Sequence, residues 1–123
     1  MGQPRNLEQS PTQRVYNVTL LTPTGEHTIR VPADEDIWDV AARTGIELPA
    51  LCHQGYCLTC AGRLEGGGEV DQSHSVQYFA QDREAGYVLL CTGRPCSDLR
   101  IRTHQQFEMR KFRLSLRLPA PYA

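Results

Sequence analysis

No stretch of this chain approaches the ~20 consecutive apolar residues that a membrane-spanning helix requires, so no membrane insertion is expected. The opening residues lack the basic-then-apolar layout of a secretory signal, and with Glu8 and little arginine they do not resemble a transit peptide. Met1-Gly2 is a weak myristoylation start, because Asn6 stands where Ser or Thr is wanted. The expectation is an unprocessed intracellular chain, or one already cut. Internal repeats and inter-domain linkers are also missing. At 123 residues the chain suits one domain with a modest core. An even set of paired cysteines is absent too. Five cysteines in an intracellular context argue for metal or redox chemistry over a disulfide framework.

The net charge of −1 excludes little, but its distribution is uneven. Residues 1–93 hold twelve acids against six arginines, whereas 94–123 hold six arginines and Lys111 against Asp98 and Glu108. Such an asymmetry bears on partners and association rates rather than on fold.

Residues 1–13 are polar and aperiodic and read as a mobile N-terminal tail. From Val15 the apolar residues alternate, with Tyr16, Val18 and Leu20 on one side, which predicts a strand. Thr22-Pro23-Thr24-Gly25 reads as a turn and His27–Val31 as the returning strand of a hairpin. Pro32 stops it, and Asp34, Glu35 and Asp36 place negative charge before a short helix marked by Ile37, Val40 and Ala41 and closed by Gly45. Further strands are expected at 61–64, 87–90 and 99–102, with one or two helical turns within 76–84. The whole suits an α+β domain with a mixed sheet. Beyond it, Phe112, Leu114, Leu116 and Leu118 alternate with Arg113, Ser115 and Arg117, which predicts a half-buried strand. The division is a 14–110 domain with a C-terminal extension over 111–123.

The chemistry concentrates in Cys52-His53-Gln54-Gly55-Tyr56-Cys57-Leu58-Thr59-Cys60, with Cys91 far along the chain. The spacing C-x4-C-x2-C with one remote cysteine is the plant-type arrangement for a 2Fe–2S cluster. Rival readings exist. Cys57, Cys60, Cys91 and Cys96 form two short-spaced pairs that would suit structural zinc, but that leaves Cys52 idle. A thioredoxin-like pair at Cys57 and Cys60 lacks the flanking helix start, and a Rieske centre lacks a second matched histidine. Within the loop, Gly55 permits a sharp turn, Thr59 and peptide N–H groups are expected to donate to sulfur, and Leu58 and Tyr56 are expected to keep the site dry. Cys96 is expected to be a packed small hydrophobe, and Asp71 with Ser73 to serve a turn.

Residues 15 to about 104 resemble the plant-type 2Fe–2S ferredoxins of chloroplasts and cyanobacteria. The phrases that carry the resemblance are Ile46-Glu47-Leu48-Pro49, Thr59-Cys60-Ala61-Gly62, Val70-Asp71-Gln72-Ser73, Glu84-Ala85-Gly86-Tyr87-Val88-Leu89 and Thr103-His104. The resemblance implies a β-grasp, ubiquitin-like fold with one main helix and a cluster-binding loop. It also implies one 2Fe–2S cluster on Cys52, Cys57, Cys60 and Cys91, and one-electron transfer between redox proteins without enzymatic chemistry. A monomer in the cyanobacterial cytosol, or a processed form in the chloroplast stroma, follows from the same resemblance, with no nucleic-acid partner. The extension resembles that of the divergent, C-terminally extended ferredoxins. The departures matter as well: Arg43-Thr44 stands on the helix, and no acidic tail closes the chain. Partners other than the usual ferredoxin–NADP reductase are therefore expected. Two other classes remain open, an iron–sulfur sensor or assembly protein and a zinc-stabilised interaction module.

Overall fold

The hairpin forms where the alternation places it. In the computed structural model, which describes residues 14–122, β1 (Val15–Thr22) and β2 (Gly25–Pro32) pair antiparallel from Val15 opposite Pro32 to Thr22 opposite Gly25. Val18, Leu20, Ile29 and Val31 are buried on one face while their neighbours point outward, as a one-sided sheet requires. The expected tail over 1–13 lies outside the described residues.

Helix α1 (Ile37–Arg43) crosses this face and buries Ile37, Val40 and Ala41. Its exposed N–H groups are satisfied from far away. Ile37 donates to the Gly93 carbonyl and Trp38 to that of Leu90, both at 2.9 Å. These bonds answer the orphan donors of a helix start and fasten α1 to the segment that carries Cys91. Asp36 does not cap the helix with its side chain. Its carboxylate instead accepts from Arg94 at 3.1 Å. Gly45, at φ +91°, closes the helix by donating to Ala42.

Three further strands and a small accessory pair complete the sheets. β3 (Ala61–Leu64) pairs antiparallel with both β5 (Tyr87–Leu89) and β7 (Leu99–Arg102), and β7 runs parallel to β1. The order is β2-β1-β7-β3-β5, a mixed sheet. β4 (Val70–Asp71) and β6 (Arg94–Pro95) form a separate two-stranded ladder. Helix α2 (Ala80–Ala85) follows, its Asp82 carboxylate accepting the Phe79 N–H at 2.9 Å. One mixed sheet gripping a helix is the α+β, β-grasp architecture expected.

The chain departs from expectation after Arg102. Residues 106–115 form α3 (Gln106–Ser115), the longest helix among the described residues, and not a strand. It crosses the division expected at residue 110. The alternation misleads because it assumes that arginine points outward. Met109, Arg110 and Arg113 are buried, while Leu114 and Leu116 are 57% and 44% exposed. Buried positions three and four apart mark one face of a helix. Arg113 can be buried because Asp82 is buried opposite it, with Nη2–Oδ2 at 2.8 Å and both side chains fully enclosed. Its remaining donors reach the carbonyls of Pro119 at 2.9 Å and Gln77 at 3.2 Å. A buried charge is tolerated when it is paired and its hydrogen bonds are filled.

Candidate iron–sulfur site

The stretch from Ile46 to Cys60 contains neither helix nor strand. It is held from three sides. Trp38 Nε1 donates to the Leu48 carbonyl at 3.0 Å, and its ring meets His53 edge-on at 4.7 Å. From the opposite side, Val76 and Gln77 donate to the carbonyls of Gln54 and Gly55. From below, Arg110 Nη2 donates to the Cys57 carbonyl at 2.9 Å.

His53, Gly55 and Leu58 all adopt positive φ, at 57°, 71° and 68°. Such backbone is costly for residues with a side chain. Here the turning backbone aims the N–H groups of Gln54 and Cys57 at Cys52 Sγ. Gly55 has no substitute: a Cβ there would lie 2.6 Å from Thr92 Oγ1 and 2.7 Å from Ser75 Cβ. Those two neighbours belong to a side-chain network that the sequence did not announce. Gln72 is buried, accepts from the Leu89 N–H at 2.7 Å and donates to Ser75 Oγ at 2.9 Å, which in turn meets Thr92 Oγ1 at 2.7 Å. The network joins the cysteine loop to the end of β5. Gln72 lies in one of the phrases carrying the family resemblance, which was the only signal available for it.

The thiols fall into two pairs. Cys52 is half-buried and accepts from the N–H groups of Gln54 and Cys57, each at 3.4 Å. Burial alone would raise its pKa, but the N–H donors of Gln54, Cys57 and Tyr56, aided by the Cys57 side chain, bring it down to about 7. Cys60 and Cys91 are buried with Sγ atoms 2.9 Å apart, and the Cys91 N–H points at Cys60 Sγ at 3.4 Å. The hydrogen bond from Cys60 lowers the Cys91 thiol. That same bond, then burial, pushes Cys60 up. Cys57 is buried, and its sulfur lies 3.2 Å from Thr59 Oγ1. Two thiol pairs ringed by N–H donors offer the soft, hydrogen-bonded ligand set that an iron–sulfur cluster takes.

Cys96 is exposed rather than packed, which corrects the sequence expectation. It sits at the end of the β4–β6 ladder, donating its N–H to the Glu69 carbonyl at 2.9 Å. Partial burial, then the carboxylates of Asp71 and Glu69, push its thiol up. Tyr56 is exposed and does not dry the loop, whereas Leu58 is fully buried and does. The expected turn holds, with the Ser73 N–H donating to Asp71 Oδ1 at 2.9 Å. Arg110 was missed entirely, because nothing in sequence spacing links position 110 to position 57.

A β-grasp sheet carrying four thiols on a loop and a strand end defines a small iron–sulfur protein. Residues 21–96 match the 2Fe-2S iron-sulfur cluster binding domain family, and the chain belongs to it. It is 37% identical over 94 residues to Ferredoxin-2 of Synechococcus sp., covering 76% of this chain and 89% of that one. It is 38% identical over 96 residues to chloroplastic Ferredoxin-6 of Zea mays, covering 77% of this chain and 61% of that one. Among solved structures, pectocin M2 superposes with a TM-score of 0.67 at 32% identity, over 84% of this chain and 40% of that chain. The protein carries one 2Fe–2S cluster and works as an electron carrier rather than an enzyme. No described helix is long and apolar enough to cross a membrane.

Proposed function

We propose that Cys52, Cys57, Cys60 and Cys91 would hold the cluster. The observation that carries this is the placement of the sulfurs: the Cys57 N–H lies on Cys52 Sγ within the loop, and Cys60 Sγ meets Cys91 Sγ at the end of β5. When bound, the cluster supplies a one-electron couple between two ferric ions and a mixed-valence pair, at a site charge of −2 passing to −3. The protein's part is to make that extra charge tolerable in a dry place. The N–H groups of Gln54, Cys57 and Cys91 aim at sulfur, and donors to sulfur favour the reduced state. Leu58 keeps water from the inner side. Leu51, Tyr56 and Val76 are exposed around the loop and offer an apolar contact face through which a redox partner approaches.

The test is a visible spectrum of anaerobically prepared protein with iron and sulfide counts, followed by Cys→Ser changes at all five positions. Two irons and two sulfides, lost on changing any of the four but retained in Cys96→Ser, agree with the reading. A colourless protein binding one zinc ion, with Cys52 dispensable and Cys96 essential, would overturn it.

The finer reading concerns partners. The chain is read as a monomer that exchanges electrons with proteins other than ferredoxin–NADP reductase. Its support is the extension: where an acidic end would meet a basic reductase, α3 and the turn after it expose Lys111 and Arg117. Charge complementarity sets encounter rates, so cytochrome c reduction through that reductase should be slow even at low salt. Rapid turnover would contradict it. We read residues 14–110 as the domain and 111–123 as its C-terminal extension, the two joined within α3. The likeness to Synechococcus and chloroplastic ferredoxins supports a cyanobacterial cytosol or a chloroplast stroma.

A further inference from the structure

Arg110 is 9% exposed, yet its partners are not carboxylates. Its Nε donates to the Pro121 carbonyl at 3.0 Å, and its Nη2 reaches the Cys57 carbonyl at 2.9 Å and Thr59 Oγ1 at 3.1 Å. The helix that presents it is anchored on either side of the arginine, by fully buried Met109 and by the Arg113–Asp82 pair. Thr59 Oγ1 lies 3.2 Å from Cys57 Sγ. A hydroxyl has one hydrogen to give and two lone pairs. With Arg110 on a lone pair and Cys57 present as a thiolate, that hydrogen has Cys57 Sγ as its acceptor.

We propose that Arg110 is a positioning residue for the cluster: from α3 it fixes the Cys57–Thr59 segment, orients the Thr59 hydroxyl onto the Cys57 sulfur and places an enclosed cation beside the site. This rests on the reading of Cys57 as a ligand. Leu58, between the two contacted residues, sits at φ +68°, and the guanidinium bridges the bend from outside. A cation and a donor to sulfur both favour the state with more negative charge. Because the cation is enclosed, salt screens it little. The C-terminal segment therefore sets the potential of the cluster as well as covering the loop.

The experiment compares the full chain with Arg110→Met, Arg110→Lys, Thr59→Val and the Arg110→Met/Thr59→Val double variant. Midpoint potential is read by film voltammetry at low and high salt, and cluster retention by the decay of visible absorbance. Arg110→Met should lower the reduced-to-oxidised ratio about tenfold at fixed potential, about 59 mV for one electron, equally at both salts. Thr59→Val should lower it less. The double variant should fall short of the two effects added, since neighbours in one network couple. Arg110→Lys should keep most of the potential but release the cluster faster, because an ammonium cannot span both acceptors. A native potential in Arg110→Met, whatever its melting temperature, overturns the proposal, as does strict additivity. Should Arg110→Met fail to load, Thr59→Val still decides, and a native potential there overturns it. A Cys57→Ser chain that keeps a normal cluster would instead undo the ligand reading, a result distinct from these.

Discussion

Helix α1 turns Ile37, Val40 and Ala41 inward, and helix α3 turns Met109, Arg110 and Arg113 inward. Both cover the same domain. The first is held by apolar burial, which is non-directional and readable from residue type. The second is held by two arginines that reach Asp82 and the Cys57 carbonyl, 31 and 53 positions away in the chain. The difference is between a contact surface that tolerates rearrangement and one that works only if Asp82 and the Cys57 carbonyl are already in place. A buried ion pair contributes little relative to an apolar substitute, but losing one member leaves a stranded charge. Helix α3 is thus conditional on the rest of the fold in a way that α1 is not.

Four changes probe that contrast, in descending order of expected effect. Arg113→Met strands Asp82 and should cost about 3–5 kcal/mol in a denaturant melt, with Arg113→Met/Asp82→Leu recovering much of it. If the single change is nearly silent, α3 is not held by that pair. On the apolar helix, Ile37→Val removes one methyl group from a filled position and should cost about 0.5–1.5 kcal/mol, measured calorimetrically. An effect as large as that of Arg113→Met would erase the distinction drawn between the helices. At the rim, Glu26→Gln loosens the exposed pair with Arg100, whose contacts are 3.3 Å, and should cost about 0–1 kcal/mol, less in high salt. Least of all, Leu114→Ser on the outer face of α3 should change stability by no more than about 0.5 kcal/mol. A thermal shift indicating several times that loss would mean that Leu114 packs inward, as the strand reading required.

The same contrast explains what the sequence could tell. The hairpin, α1, β3, β5 and β7 were legible because their buried positions are apolar and repeat with the period of the element. The cysteine loop was legible because ligand spacing is a local property of the chain. Helix α3 was hidden by the Phe112–Leu118 alternation, in which the residues that look buried are partly exposed and Arg113 is not. β4 and β6 hold two residues each, too few for any period to register. The charge split along the sequence also works within the fold, though Lys111 and Arg117 remain exposed. Arg94, Arg100, Arg102 and Arg113 pair with Asp36, Glu26, Glu65 and Asp82, so most of the basic C-terminal end is neutralised against the acidic N-terminal part. Cys96 looked like core by residue type alone, while its place at a ladder end depends on the β6–β7 connection.

Strand β7 lies in the middle of the sheet, between β1 and β3, although it is the last strand along the described chain. During synthesis, the β1–β2 ribbon and the β3–β5 ribbon emerge without the seam that joins them. All four thiols of the proposed site precede that seam in translation order. A growing chain offers them on an unfinished frame, because the parallel pairing of Val18 with Leu99 must await residues made after all four, and such long-range closure is slow. The last strand to be made is thus the one that joins the two ribbons, and the sulfurs reach their final spacing only once that seam has closed.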